Sequence, residues 1–377
     1  MQERWVLDRL LRAGGLDVLW PDVMGTLLEM GFNHTDITRT MGKVRTMSAM
    51  PKLWYQTALQ HEARAAEELH KGHTLTAAET YHRAVLALAR ARWGMFADTA
   101  GKVALYQRLN DAYDMVIEHG RGRIERVTAG DCAGLLHLPD GPGPHPAVVL
   151  YPGMDMTKEY LPVPGRNVFA DRGIAVLALD PPGHGFSALQ GIKLTARNVE
   201  ETGSRAIDLL TARADIDAAR VGVFGIGTGG YFGFSLAAQD NRVMAVAGVE
   251  GGFFYDNVQM LAEEPPSRRA RLGYMTGLDG AAFDELMTEV SIAGREKLIT
   301  CPSMFLVGEW DELTPPAEAR RLAEAVSGPI EVRIYEDEGH VLGGVMHEAM
   351  RAAADWLADR FAGRTPVSTV DVVAAYT

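Results

Sequence analysis

The sequence predicts an α/β fold: a doubly wound, mostly parallel sheet preceded by a helical N-terminal domain. Three observations carry this expectation. Residues 1–125 place apolar side chains at helical spacing. From about residue 126 the pattern changes to short apolar runs bounded by Gly and Pro. Those runs then alternate with helical stretches, as repeated strand–helix units do.

In the first block, Trp54–Leu69, Thr74–Trp93 and Gly101–Glu118 read as amphipathic helices, the last ending at Gly120-Arg-Gly122. Thr76-Ala-Ala-Glu79 has the spacing of a capping box. The block reads as a cap or lid, with a dimerisation arm as the alternative. In the second block, 126–377, strands are expected at Cys132–Pro139, Pro146–Tyr151, Ile174–Asp180, Val221–Gly225, Ala245–Val249, Ser303–Gly308 and Ile330–Tyr335. Helices are expected at Ala196–Arg213, Gly229–Ala238, Pro316–Val326 and Val345–Phe361. Residues 251–296 exceed what a crossover needs and read as a lid-like insert, in which Phe253, Phe254 and Tyr255 could line a substrate pocket, with a purely structural insert as the alternative.

Composition narrows the function. A net charge of −12 argues against nucleic acid or an anionic membrane as partner. No run of about 18 apolar residues occurs, and the N-terminus does not read as a signal peptide, so a cytoplasmic location is expected. Cys132 and Cys301 are expected as reduced core residues. His70 and His73 have no further ligand types nearby, and the glycines at 225–230 miss the dinucleotide-binding spacing, so neither a metal nor a cofactor is expected.

The stretch that organises the second block is Val221-Gly-Val-Phe-Gly-Ile-Gly-Thr-Gly-Gly230. A strand, a sharp turn and a helix bearing G-x-S-x-G form a nucleophile elbow, in which the turn lifts a serine above the sheet. Here Gly227 occupies the serine position. Downstream, Asp311 in Gly308-Glu-Trp-Asp311 and His340 in Tyr335-Glu-Asp-Glu-Gly-His340 follow in the order elbow, acid, base. Glu309 is the competing acid. His184, in Asp180-Pro-Pro-Gly-His-Gly185, reads as part of a structural turn. Two backbone N–H groups would complete an oxyanion hole: that of Thr228, after the nucleophile position, and one from the loop after Tyr151, assigned to Met154. Asp155, beside it, is a candidate substrate contact.

These residues resemble the α/β-hydrolase subgroup that includes 2,6-dihydroxypseudooxynicotine hydrolase, fermentation/respiration switch proteins and fungal polyketide-shortening hydrolases. The carrying features are the helical N-terminal block, P-G-M-D-x-x-K-E at 152–159 and D-P-P-G-H-G at 180–185. The elbow, the E-G-G-F run at 250–253, Asp311 and His340 complete them. The resemblance implies a Ser-Asp-His mechanism, in some members on carbon–carbon bonds of 1,3-dicarbonyl compounds. The chain departs from it at Gly227.

Without the serine, no acyl-enzyme can form at that position. The Thr228 hydroxyl, one residue on, is expected to point away from His340. What remains is a histidine base held by an acid, facing two N–H donors. That set suits removal of a proton α to a carbonyl, because an oxyanion hole stabilises an enolate as it does a tetrahedral intermediate. The expected reaction is elimination, for example of acetate, or cyclisation of a carbonyl-containing, polyketide-like small molecule. The alternatives are hydrolysis of an ester or 1,3-dicarbonyl by His340-activated water, an engineered serine-to-glycine variant of an ordinary hydrolase, and a non-catalytic binding protein. A homodimer through the helical block is a further expectation.

Overall fold

The computed structural model describes residues 2–15, 23–154, 156–252, 254–255, 257–263 and 266–374. Among these residues nine strands form one sheet: β1 Arg123–Ala129, β2 Cys132–Leu138, β3 His145–Tyr151, β4 Ala175–Leu179, β5 Ile216–Ile226, β6 Val246–Val249, β7 Ser303–Gly308, β8 Ile330–Tyr335 and β9 Thr369–Val373. Their spatial order is β1-β2-β4-β3-β5-β6-β7-β8-β9. The pairs β1–β2 and β2–β4 are antiparallel and the remainder parallel. The seven expected strands are present.

Two edge strands complete the sheet. Burial alternates along β1 because only one of its faces is covered, and most of β9 is exposed. Neither has the continuous apolar run that marks the inner strands.

Successive residues of the inner strands point to opposite faces, and each face has its own cover. Val148, Leu150, Phe224 and Ile226 pack in one core with Trp54, Val85, Leu88 and Tyr113 of the N-terminal helices and Leu357 of the helix Met346–Phe361. Ala147, Val149, Tyr151 and Val223 pack in a second core with Val199, Phe234 and Phe254. The N-terminal helices Met50–His70, Thr74–Ala91 and Ala100–His119 therefore share a core with the sheet.

Thr76 lies inside its helix, which begins at Thr74 after the left-handed Gly72, so the expected capping box does not cap. The side-chain cap found in this region is Thr99, which accepts from the Lys102 N–H at 3.2 Å. Cys132 is buried, Cys301 half-buried, and both are free thiols. Among the described residues, no helix is long and apolar enough to cross a membrane.

One contact ties the chain's first segment to the far loop of the sheet. The Thr26 hydroxyl donates to the Val341 carbonyl at 2.5 Å, next to His340. A Cβ on Gly25 would collide with the Gly343 carbonyl oxygen. The helix Val23–Glu29 thus lies directly against the loop that carries His340.

Candidate functional site

Strand β5 runs straight into the helix Thr228–Gln239, and the reversal between them falls on Gly227 at φ 54°, ψ −125°. This backbone region is strained for any residue but glycine. Close approach holds the turn on both sides: a Cβ on Gly225 would meet the Gly229 carbonyl, and one on Gly229 would meet the Tyr151 carbonyl. Gly227 itself has space. A Cβ there would lie 3.6 Å from Gly153 Cα and 3.7 Å from Glu250 Oε2, ordinary contact distances. The elbow keeps its shape and has room for the side chain it lacks.

Asp311 follows β7 and is almost wholly buried. Its carboxylate is fixed by its own loop, accepting from the Leu313 and Thr314 N–H groups at 2.9 Å each. Both Asp311 oxygens also lie 3.0 Å from His340 Nδ1, which leaves Nε2 to face inward. Glu309 is exposed and accepts from the Asp337 N–H at 3.1 Å, so the competing acid is not beside the histidine.

The inward nitrogen faces a group to which the sequence assigns no role. Glu250, at the end of β6, holds its Oε2 3.7 Å from His340 Nε2. It is buried, and its φ of 59° is unusual for a residue with a side chain. Its other oxygen, Oε1, has no hydrogen-bond partner among the described residues. Glu250 is the first residue of the E-G-G-F run, and nothing in that run shows that its backbone turns the carboxyl back toward the elbow. The same Oε2 is the atom nearest the vacant position from that side, so base, carboxyl and vacancy share one small space.

Burial pushes the Glu250 carboxyl up to about 8, with the Asp311 charge adding to the effect and His340 opposing it. For His340, burial acts downward. The Asp311 carboxylate, by charge and hydrogen bond, outweighs it with help from Glu250 and raises the imidazole to about 9. Two proton-exchanging groups thus face each other with their ordinary acidities brought close together.

Thr228 opens the elbow helix, so its N–H has no acceptor within that helix. Met154 lies on the loop after β3, beside the Gly153 that touches the vacancy. Asp155 and Phe253 lie outside the described residues.

Phe254 and Tyr255, which the sequence offers as pocket residues, are both buried in the second core. Phe254 is buried, its ring centroid 5.7 Å from that of Phe234 and 5.3 Å from that of Phe305. The short β6 turns directly into these aromatics, which fill the space under the elbow helix. Tyr255 is buried too, with the Arg321 guanidinium 3.8 Å from its ring centroid. His184 is buried, and its pKa is lowered to about 4 by desolvation, consistent with a neutral residue of its turn.

Comparison with known proteins agrees with this architecture. A family model described as the prolyl oligopeptidase family matches residues 165–364. The 2,6-dihydropseudooxynicotine hydrolase of Paenarthrobacter nicotinovorans is 28% identical over 344 residues, spanning 89% of this chain and 90% of the relative. Esterase FrsA of Klebsiella pneumoniae subsp. pneumoniae is 24% identical over 331 residues, 82% of this chain and 76% of its own. Among solved structures, 2,6-dihydroxy-pseudo-oxynicotine hydrolase superposes with a TM-score of 0.80 at 23% identity, covering 92% of this chain and 98% of that one. AbyA5 superposes at 0.64 with 17% identity, covering 81% and 88%. The sequence resemblance and the α/β-hydrolase fold both stand.

Proposed function

The chain belongs to the prolyl oligopeptidase family, and from that premise we propose that it is an enzyme of proton transfer and elimination rather than of acyl transfer. One observation carries the reading. Around Gly227, where the fold stations its nucleophile, His340 and Glu250 stand 3.7 Å apart with no hydroxyl between them. A site with acid and base but no nucleophile suits moving protons better than forming an acyl-enzyme.

In this reading the substrate is a small carbonyl compound with an acyloxy group, such as acetate, β to the carbonyl. Asp311 holds His340 by Nδ1, and with the imidazole raised to about 9 it is the minor, neutral form that takes the α-proton at Nε2. The electron pair of the broken C–H bond forms an enolate, and its oxygen rests on the Thr228 and Met154 N–H groups. Collapse of the enolate makes the carbon–carbon double bond and breaks the bond to the acyloxy oxygen. Glu250, kept protonated by burial, hands its proton to that oxygen, and a neutral acid leaves. The imidazolium then returns a proton to Glu250, and both groups are reset.

The relatives named hydrolase and esterase favour one second reading, in which His340 activates a water in the space at Gly227. A single experiment separates the two. A β-acetoxy ketone is incubated in heavy-oxygen water with wild type and with His340→Ala, and the products are weighed by mass spectrometry. Elimination predicts an unsaturated ketone and unlabelled acetate, with a rate loss on the order of 10²–10⁴ in His340→Ala. Labelled acetate from the wild type would establish hydrolysis. Undiminished activity in His340→Ala would refute both.

A further inference from the structure

His340 lies on the loop between β8 and the helix Met346–Phe361, and this loop is anchored on both sides of the histidine. Before it, the Glu338 carbonyl accepts from the Trp310 N–H at 2.9 Å, a contact made by the loop that carries Asp311. After it, the Val341 carbonyl accepts from the Thr26 hydroxyl at 2.5 Å, a contact made from the N-terminal segment. The chain just beyond is strained. Leu342 is wholly buried at φ 46°, a left-handed conformation that is unfavourable for a bulky side chain. A residue keeps such a conformation only where its surroundings over-determine it.

Those surroundings include the helix Val23–Glu29. Leu27 and Phe32 belong to the same core as Leu342, Val345 and Met346, and Gly25 lies so close to the Gly343 carbonyl that a side chain there would collide with it. The helix is itself tied down at its far end. Arg166 donates to the Leu28 and Glu29 carbonyls at 2.7 and 3.0 Å. The Glu29 carboxylate pairs at 3.0 Å with Arg351, on the helix that follows the His340 loop. The Phe32 ring centroid lies 5.9 Å from those of Trp54 and Tyr160. The position of Val341 is thus set by the N-terminal block as well as by the sheet.

We infer that Thr26 is a positioning residue for His340: its hydroxyl, with the Gly25–Gly343 contact, keeps the imidazole in register with Asp311, so that the N-terminal block completes the base as well as covering the sheet. The inference rests on the proposed function for the use of His340 as base, and on the contacts alone for its placement.

The imidazole itself reports its placement. Burial lowers its pKa, Asp311 and then Glu250 raise it, and Arg268 lowers it, with the balance at about 9. Thr26 carries no charge, so a shift caused by replacing its hydroxyl reports displacement of the imidazole from the Asp311 carboxylate. A loosened imidazole loses the hydrogen bond and part of the attraction, and its pKa falls.

The test follows the His340 imidazole by NMR in protein labelled with heavy nitrogen at histidine, its resonance assigned by its loss in His340→Ala. Wild type, Thr26→Val, Thr26→Ser and Thr40→Val are titrated with pH. Thr40→Val is the control, because it removes a hydroxyl pair of the same block, Thr40 with Thr57 at 2.8 Å, that does not involve the His340 loop. The midpoint is expected to fall by about one pH unit or more in Thr26→Val, to return in Thr26→Ser and to stay in Thr40→Val. On a β-acetoxy ketone, Thr26→Val should lose kcat by on the order of tenfold or more at unchanged KM. An unmoved midpoint in folded Thr26→Val, or an equal fall in Thr40→Val, would overturn the inference. If Thr26→Val does not fold, Arg351→Met loosens the same helix from its exposed side and should also lower the midpoint; no shift there would overturn the inference as well. A lowered midpoint in an enzyme that does not eliminate would keep the role of Thr26 and discard the chemistry. Elimination with an unmoved midpoint would discard the role of Thr26 alone.

Discussion

Glu250→Gln is the most direct test of the site's electrostatics, because it keeps the shape of the side chain and removes its titration. In the folded protein the carboxyl titrates near 8, against 4.5 for an ordinary glutamate. The folded state therefore holds this proton more firmly than the unfolded chain does. The contribution is fully present below about 4.5 and is lost as pH rises through about 8. At about 1.4 kcal/mol per pH unit, the ceiling on that loss is on the order of 5 kcal/mol. The value of about 8 already includes the compensation by the His340 imidazolium 3.7 Å away, and between pH 5 and 9 a loss of roughly 4 kcal/mol is expected. Urea unfolding of wild type and Glu250→Gln at pH 5, 7 and 9 reads it directly. The variant should gain on the wild type as pH rises, since the amide has no proton to lose. Parallel pH dependences would show that Glu250 is not a buried carboxyl held neutral, and its role as proton donor would fall with that result.

Two further substitutions test the rest of the site. Gly227→Ser returns a hydroxyl to the elbow, where its Cβ makes only ordinary contacts of 3.6 and 3.7 Å, although the φ of 54° costs a residue with a side chain about 1–3 kcal/mol. It should form an acetyl adduct with 4-nitrophenyl acetate by intact mass, abolished in the Gly227→Ser/His340→Ala double variant; no adduct in a folded protein would mean that 227 is not the nucleophile position. Phe254→Ala should lower stability by about 3–5 kcal/mol through a cavity among Phe234, Phe305 and Tyr231, with KM unchanged, and a raised KM in a stable variant would return Phe254 to the substrate pocket.

What the sequence disclosed depended on whether its signal was local. The seven inner strands were legible because burial on both faces turns them into apolar runs, and the elbow was legible because close approaches on both sides of the turn force a spacing of glycines. Asp311 and His340 were legible by their order after the elbow, and the structure brings them within 3.0 Å. Glu250 was not. Its sequence neighbours show a strand end, whereas its position depends on a positive φ and on two loops that meet it from β5 and β8. The aromatics at 254–255 read from sequence as a pocket wall, whereas their packing with Phe234 and Phe305 is a tertiary feature with no local signal. The edge strands β1 and β9 were missed because an exposed strand need not be apolar.

The same geometry sets the glycine at 227 directly beside the carboxyl at 250. A serine at the elbow would put its hydroxyl into the space that His340 Nε2 and Glu250 Oε2 share, and would compete for the same proton. With glycine, the strained φ loses most of its cost, and the nearest group across the base's gap is one that burial keeps protonated. Removing the nucleophile therefore leaves the base with a different partner, at a distance of 3.7 Å that a substrate atom could bridge. That carboxyl is desolvated, turned inward by an unfavourable φ, and left with one oxygen unpartnered among the described residues. Each of those features is costly in a folded protein, and together they favour a site at which a proton is exchanged.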